Sequence, residues 1–157
     1  MERHVADSVR AVRCLRPSDS ELVDVGAGAG LPGIPVAISE PKRHVVLLEP
    51  VAKRAAFLEL AVEGLQLQNV DIRIARAEDV ALQADACFAR ALAPPRRSWQ
   101  LSERLLRPQG RLLYFAGRSW APPVEDELRA QGVLATVCDQ PQFAWQGPIV
   151  IMARTSQ

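Results

Sequence analysis

A glycine-rich run that begins at an acidic residue has the clearest chemical meaning in this sequence of 157 residues. It is Asp24-Val-Gly-Ala-Gly-Ala-Gly30, and Glu49 ends the next apolar run. Glycines let the backbone bend sharply and approach a ligand, because a Cβ atom would fill the space that the ligand needs. A carboxylate at the end of the second strand can accept hydrogen bonds from both hydroxyl groups of a ribose. The pattern predicts a site for a cofactor that contains a nucleoside.

Two classes of cofactor fit this pattern. The stretch from Gly28 to Gly33 satisfies G-x-G-x-x-G, which is typical of nicotinamide dinucleotide enzymes. The second class is S-adenosylmethionine. Asp24 favours it, since the carboxylate repels a pyrophosphate and attracts a cationic amino-acid group. The sequence therefore favours S-adenosylmethionine, with a nicotinamide-dependent oxidoreductase as an alternative.

The predicted elements around these residues alternate between strands and helices. Strands are predicted over 21–25, 44–49, 70–75, 84–89 and 110–116, and helices over 31–39, 55–65 and 96–106. After a helix over 124–130, two last strands over 133–138 and 149–153 have no crossover helix between them, so they form an antiparallel hairpin. The sequence predicts an α/β, Rossmann-like fold: a mostly parallel, seven-stranded sheet with a C-terminal antiparallel hairpin and helices on both faces.

An amphipathic helix is predicted before the first strand and ends before Pro17. Its apolar stripe consists of Val5, Val9, Val12 and Leu15, and arginines, Arg10 among them, occupy the opposite face. His4 lies one turn from Asp7 on this helix, and we expect it to hold the helix over the glycine-rich loop.

Composition predicts one domain, residues 1–157, because 48% of the residues are hydrophobic and can build one core. A net charge of +1 favours neither the presence nor the absence of a nucleic-acid partner. The stretch 90–118 has seven arginines and one acidic residue, so it is either a basic face or a set of solvated side chains. Trp99, Trp120 and Trp145 either stack on a base or belong to the core and its rim.

Cysteine usage predicts neither a disulfide nor a zinc site, because Cys14, Cys87 and Cys138 are scattered and odd in number. We therefore expect a reducing, cytoplasmic environment. No apolar run reaches the roughly 20 residues that cross a bilayer, and Met1 to Arg10 is not signal-like, so no membrane association is expected.

Five motifs follow one another between about residues 3 and 117. They are His4 with Asp7-Ser8, Asp24 to Pro35, Leu48-Glu49-Pro50 with Lys53-Arg54 and Phe57-Leu58, Arg76-Ala77-Glu78, and Arg90-Ala91-Leu92. In these motifs the sequence resembles the bacterial 16S ribosomal RNA guanine-N7 methyltransferase family, also called the glucose-inhibited division protein B family. The resemblance implies the class I methyltransferase fold, S-adenosylmethionine as cofactor, and 16S rRNA or the 30S subunit as partner. We expect a cytoplasmic monomer.

The resemblance also assigns site residues. Gly26 and Leu31 would line the cofactor, Ala77 and Glu78 would hold its adenine end, and Arg90 would lie beside the methionine moiety and the substrate. The ribose argument adds Glu49. Each has a structural alternative: a turn glycine, a core leucine, a helix cap or a solvated arginine.

Guanine N7 has a free lone pair, so methylation there needs no general base, and no catalytic proton-transfer residue or metal is predicted. The fourth strand ends in Phe88-Ala-Arg-Ala-Leu92 instead of the Asn/Asp-Pro-Pro-aromatic motif of exocyclic-amine methyltransferases.

Three departures from the family pattern concern elements that are expected to face RNA. The family has a helical segment before the position of Arg3, and we do not expect this segment in this chain. Ala116 stands where the family has a lysine, and Gln146-Gly147-Pro148 stands where it has an Arg-His pair. The alternatives are a methyltransferase acting on a small molecule or another RNA site, the oxidoreductase, and an inactive cofactor-binding protein.

Overall fold

The computed structural model describes residues 2–155. Its strands are β1 (Glu21–Val25), β2 (His44–Leu48), β3 (Val70–Arg73), β4 (Ala84–Arg90), β5 (Leu106–Phe115), β6 (Val133–Asp139) and β7 (Ile149–Arg154). Its α-helices are α1 (Glu2–Val9), α2 (Gly33–Ser39), α3 (Ala52–Gly64), α4 (Pro95–Ser102) and α5 (Pro122–Ala130). Within this range no helix has the length and apolar character needed to span a membrane.

The strands form one sheet in the order β3-β2-β1-β4-β5-β7-β6. The pairs among β1 to β5 are parallel, and β7 runs antiparallel to both β5 and β6. The predicted Rossmann-like sheet with its C-terminal hairpin is confirmed. From β1 the chain crosses to β2 on one side and later returns to β4 on the other, so a crevice opens between the carboxyl ends of β1 and β4.

Helices cover both faces of the sheet, as predicted. In β1, Leu22 belongs to one buried cluster with Leu58 of α3, and the next residue, Val23, belongs to a second cluster with Trp99 of α4 and Leu128 of α5. Successive strand residues point to opposite faces, so each side of the sheet has its own core.

The predicted apolar face of the N-terminal helix is wrong in its first half, whereas Val12 and Leu15, farther along the chain, pack partly buried against the core as predicted. Val5 and Val9 are exposed, at 39% and 37%, whereas Arg10 is only 8% exposed. Helix α1 gives way to a 3-10 turn at Arg10–Cys14, and the Arg10 guanidinium contacts carboxylates of Asp7 and Asp139 at 2.6 Å each. The ion pairs allow the arginine to be buried, so the helix presents a different face from the one that apolar spacing indicated.

The prediction that the cysteines form no disulfide is also wrong. Cys14 and Cys138 are disulfide-bonded with their Cα atoms 5.9 Å apart, and Cys87 is free and buried. The two half-cystines are 124 residues apart in sequence, and only the packing of the 3-10 turn against β6 brings them together. The expectation of a reducing compartment loses the support it took from the cysteine pattern.

The arginine-rich stretch does not form one basic face. Arg111 is buried in an ion pair with Asp19, and Arg107 lies 2.5 Å from a carboxylate oxygen of Asp85. Arg107 lies near the start of β5 and Arg111 at its middle, whereas Arg90 ends β4 and pairs with Phe115 at the end of β5.

Candidate cofactor cleft

A cavity of about 370 Å³ lies where the strands β1, β2 and β4 end. Four of the six predicted site residues line it: Gly26, Glu49, Ala77 and Glu78. The other lining residues are Val25, Leu48, Pro50, Arg54, Ala75, Arg76, Ala91, Leu92, Arg97 and Leu101. Ligands of open α/β sheets bind at this edge.

A second cavity of about 370 Å³ lies at the opposite edge, around the starts of β4 and β5, and is lined by Gln83 and Leu106 among others. Its position outside the amino ends of the strands, and its lack of any glycine-rich turn, make it a poor candidate for a nucleoside.

Gly26 forms the turn at the wall of the cleft. Its φ is +69°, a conformation that favours glycine, and its amide donates to the carbonyl of Leu48 at 2.8 Å. A Cβ atom on Gly26 would lie 2.6 Å from Cδ1 of Leu92. The backbone conformation therefore favours glycine here, and a side chain at this position would also displace the end of the Leu92 side chain.

Glu49 is almost completely buried, at 2% exposed, although it lines the cleft. Its Oε2 accepts a hydrogen bond from the amide of Gly28 at 2.8 Å, and its Oε1 accepts one from the amide of Val51 at 3.0 Å. The backbone thus fixes the orientation of the carboxylate, and each oxygen keeps a lone pair for a second donor.

Ala77 and Glu78 lie in a 3-10 turn after β3, on the far side of the cleft from the glycine-rich turn. Ala77 is buried, and the Glu78 carboxylate accepts a hydrogen bond from Nη2 of Arg97 at 2.7 Å. The ion pair joins this turn to α4, which forms the outer wall.

Leu31 and Arg90 are not among the lining residues of the cavity. Leu31 is half-buried in the turn before α2. Nη2 of Arg90 lies 2.7 Å from Nδ1 of His4 and 3.7 Å from a carboxylate oxygen of Asp7. The N-terminal helix therefore reaches the end of β4 through His4, while the expected role of His4 over the glycine-rich loop stays a prediction.

Asp24 is buried, at 1% exposed, and its Oδ2 accepts a hydrogen bond from the amide of Gly33 at 2.8 Å. Burial raises the pKa of this carboxyl to about 7, although the Gly33 amide and the charge of Arg90 act in the opposite direction. A Cβ on Gly33 would lie 2.8 Å from Oδ2, so this glycine permits the contact. Asp24 thus fastens β1 to the start of α2, and it does not line the cleft.

Sequence reasoning missed the wall formed by Leu92, Leu101 and Arg97. Ala91, which precedes Leu92, has a φ of +52°, unusual for a residue with a side chain. This conformation turns the chain at the end of β4, where Leu92 packs against Gly26. The signal for this wall in the sequence was the place of Leu92 in the Arg90-Ala91-Leu92 motif.

The strand order of the sheet and the cleft at its carboxyl edge are those of the Rossmann-like fold of class I methyltransferases. A crystal structure of M. jannaschii TYW2 in complex with AdoMet is similar in fold, with a TM-score of 0.70 and 16% sequence identity. The similarity covers 98% of this chain and 76% of the TYW2 chain. The structure of the mitomycin 7-O-methyltransferase MmcR matches 98% of this chain and 54% of its own, with a TM-score of 0.72 and 16% identity.

Sequence similarity identifies the family. Residues 1–142 match the GidB family model, described as rRNA small subunit methyltransferase G, and the chain belongs to this family. The ribosomal RNA small subunit methyltransferase G of Acidothermus cellulolyticus is 40% identical over 141 residues, which cover 89% of this chain. The protein of the same name from Wolinella succinogenes is 38% identical over 128 residues, or 81% of this chain. The matches span 61% and 66% of the lengths of these two relatives.

Proposed function

We propose that this chain is a methyltransferase domain that binds S-adenosylmethionine in the cleft and transfers its methyl group to a guanine N7 of 16S ribosomal RNA. One observation carries the proposal: in a chain of this family, the buried carboxylate of Glu49 and the glycine turn at Gly26 face one cavity at the carboxyl edge of the sheet. The names of the relatives support rRNA as the substrate.

The residues of the cleft fit this cofactor. Gly26 lines the cleft without a side chain, so its backbone is within reach of a ligand, and the oriented Glu49 carboxylate suits a ribose diol. In this proposal Ala77 and Glu78 hold the adenine end of the cofactor. Arg90 holds the cofactor carboxylate or an RNA phosphate as a bidentate clamp. Leu31 would also line the cofactor. When bound, S-adenosylmethionine supplies a methyl group on a positively charged sulfur.

Catalysis in this proposal is positioning. Guanine N7 attacks with its own lone pair, so the chain has no proton to remove before transfer. An in-line arrangement of nucleophile, methyl and sulfur contributes several kcal/mol when it is held in place. His4 and Asp7 contribute by fixing the Arg90 side chain at the end of β4.

The remaining parts of the proposal concern the whole protein. We propose that residues 1–157 form one domain that acts as a monomer on the 30S subunit in the cytoplasm, without metal and without a membrane. Residues 1, 156 and 157 lie outside the described part of the chain.

Transfer of a labelled methyl group tests the proposed function. The protein is incubated with S-adenosylmethionine and with 30S subunits or 16S rRNA that lack N7 methylation, and the labelled nucleotide is mapped. We expect label in a single guanosine, release of that label as 7-methylguanine, and strongly reduced transfer by Glu49→Gln but not by the exposed-site control Glu63→Gln. Transfer to small molecules alone, with none to rRNA, would contradict the proposal.

A further inference from the structure

A pair of stacked aromatic rings is exposed on the loop between β6 and β7. The ring centroids of Phe143 and Trp145 are 5.8 Å apart and their planes differ by 6°. Phe143 is 58% exposed and Trp145 is half-buried, and neither belongs to the two buried clusters. These rings therefore do not serve the core of the domain.

The loop holds the rings in a defined position. The side-chain oxygen of Gln146 accepts hydrogen bonds from the amides of Gln142 and Phe143, at 2.9 and 3.2 Å, and Gln146 itself is only 6% exposed. A buried polar side chain that satisfies two backbone donors fixes the loop conformation. Gln146 is the first of the three residues that depart from the family pattern.

Two arginines add positive charge beside the rings. The guanidinium carbon of Arg3 lies 6.0 Å from the centre of the Trp145 ring, and the Arg118 side chain donates to the carbonyl of Ala144 at 3.5 Å. Arg118 is exposed, and so is Arg3. We call these two aromatic and two basic side chains the aromatic platform.

The aromatic platform lies at the same edge of the sheet as the cleft. The loop adjoins the end of β5, because the amide of Ala116 donates to the carbonyl of Pro148 at 3.0 Å. The end of β5 is in register with the end of β4, where Phe115 pairs with Arg90. Helix α1 spans the gap between the two places. Its Arg3 contacts the Trp145 ring, and the next residue, His4, contacts Arg90.

We propose that the aromatic platform stacks on an unpaired RNA base next to the target nucleotide, while Arg3 and Arg118 attract the adjoining phosphates. This inference rests on the proposed function. Flat, exposed rings with neighbouring guanidinium groups match a single-stranded nucleic acid, since every base presents a π-face and every nucleotide a negative charge. The platform supplies aromatic and basic groups near the place where the family pattern has an Arg-His pair.

Substitutions at Phe143 separate stacking from bulk. Phe143→Leu keeps an apolar side chain and removes the ring, Phe143→Tyr keeps the ring, and Phe57→Leu is a control at a phenylalanine of similar exposure, 54%, on α3. Fluorescence anisotropy measures binding of a labelled single-stranded oligoribonucleotide of mixed sequence and of its duplex form. Calorimetry with S-adenosylhomocysteine reports whether each variant keeps a folded cleft.

We expect Phe143→Leu to weaken binding of the single strand about fivefold or more, the lower end of what one aromatic–base stack contributes. Phe143→Tyr and Phe57→Leu should bind like wild type, duplex binding should change little, and all should bind S-adenosylhomocysteine. Equal single-strand affinities for wild type and Phe143→Leu would overturn the proposed stacking on RNA but not the proposed function. The exposed rings would then be assigned to a contact with a protein. Failure of the wild type to bind either RNA, with cofactor binding intact, would overturn the proposed substrate and the platform together.

Discussion

The carboxylate of Glu49, at the end of β2, accepts a hydrogen bond from the amide of Gly28 at 2.8 Å, in the turn that follows β1. This bond joins the two motifs that indicated a cofactor site in the sequence. It also orients the carboxylate from behind, so that its remaining lone pairs are available in the cleft.

Replacing Glu49 by glutamine should weaken cofactor binding. The amide keeps the size of the side chain but removes the charge, and charge-assisted hydrogen bonds are worth about 1.5–3 kcal/mol each. We predict at least about tenfold weaker binding of S-adenosylhomocysteine by calorimetry. Glu63→Gln, on the exposed surface of α3, is the matched control. Equal affinities of the two variants would remove Glu49 from the site.

Replacing Arg90 by lysine should abolish most methyl transfer. A lysine cannot present the planar fork that contacts His4 and Asp7 together and still clamps an anion. We predict that the variant stays within about 1 kcal/mol of the wild-type free energy of unfolding, since lysine keeps the positive charge beside Asp7. Turnover is measured with labelled S-adenosylmethionine, and stability with urea. Wild-type turnover in Arg90→Lys would show that Arg90 has no role in the reaction.

Asp24 should make the protein less stable as the pH rises. Its folded-state pKa of about 7 lies above the ordinary 3.8, so the folded state prefers the protonated form. The stabilising contribution is complete below the ordinary pKa and is lost as the pH rises to about 7, a change on the order of 4 kcal/mol. We predict that Asp24→Asn, which does not titrate, lacks this part of the pH dependence.

Urea unfolding of wild type and Asp24→Asn at pH 5 and pH 8 provides the measurement. Taking the difference between the two proteins removes contributions from other titrating groups. The same pH dependence in both would mean that Asp24 is ionised throughout this range in the folded protein.

Reduction of the Cys14–Cys138 disulfide should destabilise the domain. The bond closes a long loop, with a sequence separation of 124, and such cross-links contribute about 2–5 kcal/mol by restricting the unfolded chain. We predict this loss in dithiothreitol, and a similar stability of the Cys14→Ser/Cys138→Ser variant with or without the reductant. Identical urea transitions of the wild type in both conditions would show that the bond does not form in solution.

The order of elements and the cofactor motifs could be predicted from the sequence because their signals are local. An apolar run that ends in glycines or in Glu49 marks the end of a strand, and parallel strands bring such ends to one edge. The strand ends predict that Glu49 lies beside the glycine-rich turn of Gly26, whereas the family resemblance is what adds Ala77 and Glu78. All four residues line one cavity.

Long-range pairings could not be predicted in this way. The burial of Arg10 depends on Asp139 and the disulfide of Cys14 depends on Cys138, partners that lie far along the chain on β6. Apolar spacing placed Val5 inside because it takes no account of such partners. The interpretation of Asp24 as a cofactor contact likewise missed the amide of Gly33, which binds its carboxylate within the protein.

Calorimetric titration of the wild-type protein with S-adenosylhomocysteine, and separately with NADH, tests the central claim most directly. The cleft of Gly26, Glu49, Ala77 and Glu78 predicts binding of S-adenosylhomocysteine at one site per chain and no binding of NADH. Binding of NADH without binding of S-adenosylhomocysteine or S-adenosylmethionine would contradict the account.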